Sequence, residues 1–204
     1  IYDRLVGSEM CIRDRKCFTM NFRERLQWYS SPRMIYRAGR KSMATDDKLM
    51  IAETIYLYAT GIDTKDFDLY RSIFADHVEI DFSSYEGSSV NEPDLLTGDQ
   101  WVNRIKPLFT GLAATQHSMT NPIVTLDGDF ASCRMYMQAH HVFEPDEEDS
   151  WFTIGGYYDD KLVRDDQSPS GWKLTGVTLT VLWRKGNDSI MPEARAKGKQ
   201  LLSN

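Results

Sequence analysis

The stretches YATGID, TQHSM and AHHVF hold the side chains best suited to moving protons: Tyr58, Asp63, His117 and the adjacent pair His140 and His141. The pKa of histidine lies near neutrality, so a histidine can both take up and release a proton. A carboxylate beside it fixes the ring tautomer and stabilises the imidazolium that forms during the reaction. The chemistry open to these residue types is therefore acid–base catalysis.

Each of these side chains also has a structural interpretation. Asp63 follows a helical pattern and could cap the next turn, within DTKD. His117 could be a half-buried histidine with satisfied hydrogen bonds, and Tyr58 lies on a helical stripe that usually belongs to the core. His140 and His141 are neighbours in a strand pattern, so only one of them can face the core. The fold decides between the two interpretations.

Other kinds of site find little support. The sequence has no phosphate-binding loop, no GxGxxG fingerprint and no GxSxG nucleophile motif. Asp63, His117 and His140 could in principle hold iron, but no short His-x-Asp spacing indicates such a site. The acidic loop EPDEED, residues 144–149, is more typical of a solvated loop than of a metal site. We therefore expect neither a cofactor nor a metal.

Composition narrows the class of protein. Hydrophobic residues make up 41% of the 204 residues and charged residues 26%, which is ordinary for a globular domain. No window approaches eighteen apolar residues and no signal-peptide pattern is present, so we expect a cytoplasmic protein without a membrane partner. Residues 43–204 carry a net charge of −12, which argues against nucleic acid. The same residues contain one cysteine, Cys133, so no disulfide framework is expected.

The first 42 residues differ from the rest, with ten Lys and Arg against four Asp and Glu. Within them LVGSEMCIRDR, residues 5–15, resembles the read-through translation of a transposon-type sequencing adapter. We therefore expect residues 1–42 to be a non-native or disordered extension and Met43 to be the natural start. A genuine basic arm is the alternative.

From Met43 onward the hydrophobic pattern is regular. A capping residue at Thr45 or Asp46 and the stop signal Gly61 delimit a first helix, and a second short helix lies in DTKDFDLYRSIFAD. A strand is predicted in HVEIDFSSY and a third helix in TGDQWVNRIKPLFTGL. Two strand pairs follow, turning at LDGD and QSPSG, and residues 188–204 are expected to be a flexible tail. This order predicts an α+β domain over residues 43–187, with helices packed on one face of an antiparallel sheet.

The segments YLYATGIDTKDFDLYRSIFADHVEID, HSMTNPIV and GGYYDDKLVR, with GWKLTGVTL, resemble the SnoaL-like branch of the nuclear-transport-factor-2-like superfamily. The resemblance covers roughly residues 45–185 and is closest to the subgroup of scytalone dehydratase and bile-acid 7α-dehydratase. It implies a cone-shaped fold of three N-terminal helices on a curved antiparallel sheet. Ile62 and Phe82 stand where scytalone dehydratase has tyrosines, a departure that puts that particular reaction in doubt.

The resemblance also implies roles for particular residues. Asp63 and His117 match a catalytic dyad in which the aspartate orients the histidine base. Tyr58 would hold a developing enolate oxygen and His140 would donate a proton to a leaving hydroxyl. If Cys133, Met135 and their alternate neighbours face inward instead, the cavity is apolar and His141 replaces His140 as the candidate.

Further residues are expected to bind the substrate. Tyr158 and Asp160 alternate onto one face of their predicted strand, and Phe82, Tyr85 and Trp101 complete the set. Together these features predict a cofactor-free dehydratase or isomerase for a small hydrophobic cyclic substrate that carries a carbonyl group. The alternative is a non-catalytic binding protein, or a subunit like the small subunit of ring-hydroxylating dioxygenases. Since domains of the resembling fold commonly pair through the sheet, a homodimer is also expected.

Overall fold

The computed structural model describes residues 32–85 and 92–203. The chain divides into two compact units, Ile1–Met43 and Ala44–Asn204. Residues 1–31 of the expected extension, including its adapter-like segment, lie outside the described residues, whereas the backbone of residues 32–42 is helical. The first helix therefore begins at Pro32, and the start predicted at Thr45 or Asp46 was wrong. Proline suits the first turn of a helix because its fixed φ fits there and its missing N–H has no partner to lose.

Four helices and six strands make up the described part of the chain. The helices are α1 (Pro32–Asp63), α2 (Phe67–Ser72), α3 (Gly98–Gly111) and α4 (Ile190–Leu201). The strands are β1 (Phe74–Asp81), β2 (Asp94–Thr97), β3 (Ala114–Asp127), β4 (Phe130–Val142), β5 (Trp151–Arg164) and β6 (Trp172–Gly186).

The six strands form one mixed sheet in the order β2-β1-β6-β5-β4-β3. The strands β3 to β6 form an antiparallel meander, β2 pairs antiparallel with β1, and β1 joins β6 in parallel. Buried and exposed residues alternate strictly along β4 from Ala131 to Ala139. Because the buried residues of this stretch are apolar and all point to the same side, the inner face of the sheet is apolar here. The predicted α+β fold with helices on a curved sheet is confirmed.

The C-terminal segment differs from its prediction. Residues 188–204 were expected to be a flexible tail, but α4 packs against α3 and buries Ile190, Met191 and Ala194. The two helices approach so closely that a Cβ added at Gly198 would collide with the carbonyl oxygen of Pro107. A polar composition hid a narrow apolar stripe, which is enough to dock a helix when the contact is made through glycine.

Two smaller differences concern the ends of elements. The second helix ends at Ser72, and β1 already begins at Phe74, earlier than the predicted strand. The strand β2 occupies residues predicted as loop or helix start, and pairs with β1 at the edge of the sheet. Within the described residues, no helix is long and apolar enough to cross a membrane.

Candidate active site

A cavity of about 600 Å³ lies between the helices and the inner face of the sheet. Its volume is in the range of small-molecule sites, and its wall is mostly aromatic and aliphatic. Six of the predicted site residues line it: Tyr58, Phe82, Tyr85, Trp101, His117 and Tyr158. The other three predicted site residues, Asp63, His140 and Asp160, do not line it.

Asp63 and His117 form a hydrogen-bonded pair at the edge of this cavity. Asp63 Oδ1 lies 2.7 Å from His117 Nδ1, and Asp63 Oδ2 accepts a hydrogen bond of 2.7 Å from the backbone N–H of His117. The side chains are only 4% exposed for His117 and 21% for Asp63. Because an ionised carboxylate can only accept, Nδ1 of the neutral ring carries the proton and Nε2 has the free lone pair. His117 is therefore equipped to act as a base toward the cavity.

The turn that carries Asp63 is fixed from both sides. Asp63 is the last residue of α1, and Gly61 allows the backbone of Tyr70 to approach more closely than any side chain would permit. Lys65, which has a φ of 59°, donates from Nζ to the carbonyl of Leu112, 2.7 Å away. Because Leu112 lies just before β3, this bond ties the turn to the strand of His117 and holds the pair in register.

Tyrosine hydroxyls form the polar part of the opposite wall. The ring centroids of Tyr58 and Tyr70 are 5.0 Å apart, and those of Tyr58 and Tyr158 are 5.5 Å apart. Trp101 Nε1 donates to the Tyr70 hydroxyl at 2.9 Å. Burial raises the pKa of Tyr58 and that of Tyr158 well above the usual value. These hydroxyls therefore stay protonated and can donate to an oxygen in the cavity.

His141 lines the cavity beside the dyad. Its ring lies 5.8 Å from that of His117, edge to face, and its Nδ1 is 3.2 Å from the carbonyl oxygen of Phe152. Burial lowers the pKa of His141 to about 3, because the charged ring cannot be solvated there. His141 is therefore neutral, with Nδ1–H donating to Phe152 and Nε2 free to accept a hydrogen bond.

His140 lies on the other face of β4, so its predicted place in the site was wrong. Its Nδ1 is 2.7 Å from Thr153 Oγ1, and its ring packs on Trp151 outside the cavity. The strand alternation selects His141, since Met137 and Ala139 line the cavity and His140 is out of phase with them. The iron site considered for Asp63, His117 and His140 therefore does not converge. In the described ranges, no three His, Cys, Asp or Glu residues are grouped to hold a metal ion.

Asp160 faces inward as predicted but does not line the cavity, so its assignment to substrate binding was wrong. It is only 3% exposed, and its Oδ1 has no hydrogen-bond partner within the described residues. Burial, followed by the charge of Asp159, raises the pKa of Asp160 well above its usual value. The residue lies beyond Tyr158 on β5, opposite Cys133, where it is a neutral carboxylic acid in the core.

This shift predicts a pH dependence of stability. Because folding raises the pKa of Asp160, the folded state binds its proton more tightly than the unfolded state. Stability contributed by that proton is complete below an unfolded pKa of about 3.9 and is lost as the pH rises toward the folded pKa. Relative to Asp160→Asn, the wild type should lose up to about 1.4 kcal/mol per pH unit over that range.

Urea unfolding of both proteins between about pH 5 and pH 8 measures this difference. Asp146→Asn, on the exposed acidic loop, is the matched control and should follow the wild type. A difference between wild type and Asp160→Asn that stays constant with pH would contradict the buried neutral acid.

Part of the wall was not selected from the sequence. Tyr70 was not among the predicted site residues, and Met191 and Arg195 belong to residues 188–204, which were expected to be a tail. A signal for α4 was available, because the apolar or small residues Ile190, Ala194 and Gly198 recur at intervals of four. The helical stripe therefore predicts that α4 forms, but it does not predict that α4 completes the wall of the cavity.

Comparison with known proteins agrees with this fold and cavity. Residues 43–178 match the model of the SnoaL-like domain. A protein of unknown function from Mycobacterium tuberculosis, Rv2910c, is 30% identical over 139 residues, covering 68% of this chain and 88% of the relative. The solved structure of Kfla4162 from Kribbella flavida is 28% identical, with a TM-score of 0.65 and coverage of 73% of this chain and 99% of that one.

A scytalone dehydratase-like protein from Novosphingobium aromaticivorans has a TM-score of 0.58. It is 18% identical and covers 70% of this chain and 91% of its own, a likeness that concerns the fold alone. With the family match covering well over half of its length, this chain belongs to the SnoaL-like domain family.

Proposed function

We propose that this protein is a cofactor-free dehydratase or isomerase that acts on a small cyclic molecule with a carbonyl group. The observation that carries the proposal is the 2.7 Å hydrogen bond between Asp63 and His117 at the wall of an apolar cavity. A histidine that is oriented by a carboxylate and lines a cavity is suited to removing a proton next to a carbonyl. The structural neighbour from Novosphingobium aromaticivorans is described as a scytalone dehydratase, and this agrees with the proposed class of reaction.

The reaction begins at His117. Its Nε2 takes a proton from the carbon next to the substrate carbonyl, and Asp63 stabilises the imidazolium that results. The electron pair of the broken C–H bond moves to the carbonyl oxygen, where the hydroxyls of Tyr58 and Tyr158 donate hydrogen bonds to the enolate. The mostly aromatic and aliphatic wall lowers the local dielectric and so strengthens these interactions.

The second step depends on the substrate. In a dehydratase the enolate reforms its carbonyl, the C–O bond at the β carbon breaks, and the leaving hydroxide takes the proton from His117 to become water. His141 cannot supply this proton, since burial lowers its pKa to about 3 and keeps it neutral. One base therefore serves both steps. In an isomerase the same proton returns to a different carbon of the enolate.

Incubation with 3-hydroxy-1-tetralone in D₂O, followed by NMR, tests the proposal. Formation of 1-naphthol by loss of water identifies a dehydratase, and deuterium uptake at C2 without naphthol shows proton abstraction without elimination, as expected of an isomerase or cyclase that lacks its own substrate. The His117→Gln variant is the blank for both reactions, because it keeps the cavity but lacks the base. Neither reaction above that blank would overturn the proposal and favour a non-catalytic binding protein or a structural subunit.

The expected homodimer is also a proposal. Exposed Phe130, Tyr136 and Trp183 lie on the sheet strands, 63%, 43% and 45% exposed, and could pair two copies through the sheet. Sedimentation equilibrium measures the assembly directly.

A further inference from the structure

Arg195 is an arginine in the wall of the cavity whose hydrogen-bonding capacity is largely unused. It lies in the second turn of α4 and is half-buried. Its Nη1 donates to the backbone carbonyl of Arg104, 2.7 Å away. A guanidinium has five N–H donors, and in residues 32–85 and 92–203 the other four have no hydrogen-bond partner. Donors held at an apolar cavity without partners are available to a ligand.

The charge of Arg195 is also uncompensated within the described ranges. Arg71, Arg104 and Arg164 each lie within 3.2 Å of a carboxylate, whereas no carboxylate of the described residues lies within ion-pair distance of Arg195. Burial lowers the pKa of Arg195, the nearby Tyr85 opposes this shift, and the positive charge of Arg104 adds to it. A half-buried cation without a counter-ion is costly, so such a residue is typically kept to bind an anion.

We propose that Arg195 binds a carboxylate group of the substrate, so that the substrate of this enzyme is an apolar cyclic carboxylate rather than a neutral molecule. This inference rests on the proposed function in taking the cavity as the substrate site. The planar guanidinium fork matches the two oxygens of a carboxylate, and one positive charge is balanced by one negative charge. The same wall also includes Asp188 and Lys199, whose opposite charges offset each other, and its aromatic and aliphatic residues accommodate the ring system.

Titration calorimetry with two matched probes tests the proposal without any chemical reaction. The probes are 2-naphthoate, an apolar bicyclic carboxylate, and 2-naphthamide, its neutral isostere. The wild type is expected to bind the carboxylate about tenfold to a hundredfold more tightly, the range for hydrogen bonds to a charged group. A third probe, 2-naphthyl phosphate, separates a carboxylate site from a general site for anionic oxygen groups.

The decisive quantity is the ratio of the two affinities in the variants. Arg195→Met is expected to abolish the preference for 2-naphthoate, and Arg195→Lys to retain part of it. Lys197→Met removes the same charge from α4, but Lys197 pairs with Glu144 outside the cavity, so this control should keep the wild-type ratio. A general loosening of α4 would lower the affinities for both probes alike and leave their ratio unchanged.

Several results would overturn the carboxylate site. One is equal affinity of the wild type for 2-naphthoate and 2-naphthamide, and another is a preference for 2-naphthoate that survives in Arg195→Met. The others are tighter binding of 2-naphthyl phosphate than of 2-naphthoate, and no binding of either matched probe at millimolar concentration. Failure of the catalytic proposal is distinguishable, because Asp63→Asn should still select 2-naphthoate. If the protein selects the carboxylate but catalyses no proton transfer, the carboxylate site stands and the proposed catalytic function fails.

Discussion

Replacement of His117 by glutamine is expected to slow proton abstraction from 2-tetralone by about 10²–10⁴-fold, the contribution typical of one general base. In the proposed reaction Nε2 of His117 takes the α proton, and glutamine has no atom basic enough to do so. Glutamine can still donate its amide N–H to Asp63, so the fold should persist. Deuterium uptake at the α carbon in D₂O, followed by NMR, measures the rate.

Replacement of Asp63 by asparagine is expected to cause a loss of similar order, about 10²-fold or more. The amide group of asparagine can donate to Nδ1, which would favour the tautomer with the proton on Nε2. The nitrogen that faces the cavity would then be a donor and could no longer accept the α proton. The variant would therefore lose activity although the base itself is present.

His140→Gln is the matched control for both variants. It removes a histidine from β4, but on the outer face of the strand, where His140 is bonded to Thr153. Its rate should equal that of the wild type. A wild-type rate no faster than buffer, or a His117→Gln rate equal to the wild type, would contradict the assignment of the base.

Replacement of Gly198 by valine is expected to destabilise the protein by about 1–3 kcal/mol, the usual cost of overpacking. A Cβ at Gly198 would collide with the carbonyl of Pro107, and one at Gly111 would collide with that of Ala194. The helices α3 and α4 therefore cross in direct backbone contact. Any side chain at this crossing must push α4 outward, and with it Arg195 and Met191 of the cavity wall.

Urea unfolding and titration with 2-naphthoate measure the two consequences of Gly198→Val. The free energy of unfolding should fall and the affinity for 2-naphthoate should decrease together. Gln200→Val places the same β-branched residue at an exposed position of α4 and controls for helix propensity. If Gly198→Val is as stable as Gln200→Val and binds 2-naphthoate normally, the close crossing does not hold the wall.

Most of the sheet was predictable because its strands alternate clearly between apolar and polar residues. The period is clearest in β4, and the turn between β3 and β4 follows from the turn residues of LDGD. The helix α4 was missed because its buried stripe consists partly of Ala194 and Gly198, which count little as hydrophobic residues. The start of α1 was missed because Thr45 and Asp46 are good caps, yet the backbone is already helical before them.

The candidate site shows a similar division. Residue type alone left a structural alternative open for Tyr58, Asp63 and His117, and the family resemblance favoured their assignment to the site. The choice of His140 over His141 rested on spacing along the chain, whereas the apolar phase of β4 decides it. The side chain of Asp160 points inward, as strand alternation predicted. Alternation does not predict, however, that Asp160 lies beyond the cavity, because that depends on how the core packs.

We propose that Asp63 and His117 act as one unit in proton abstraction. A double-mutant cycle on 2-tetralone exchange tests it most directly, with the wild type, Asp63→Asn, His117→Gln and the double variant. If Asp63 acts only through His117, the double variant should be no slower than His117→Gln alone. Losses that multiply in the double variant would mean that the two residues act independently, and would contradict the dyad.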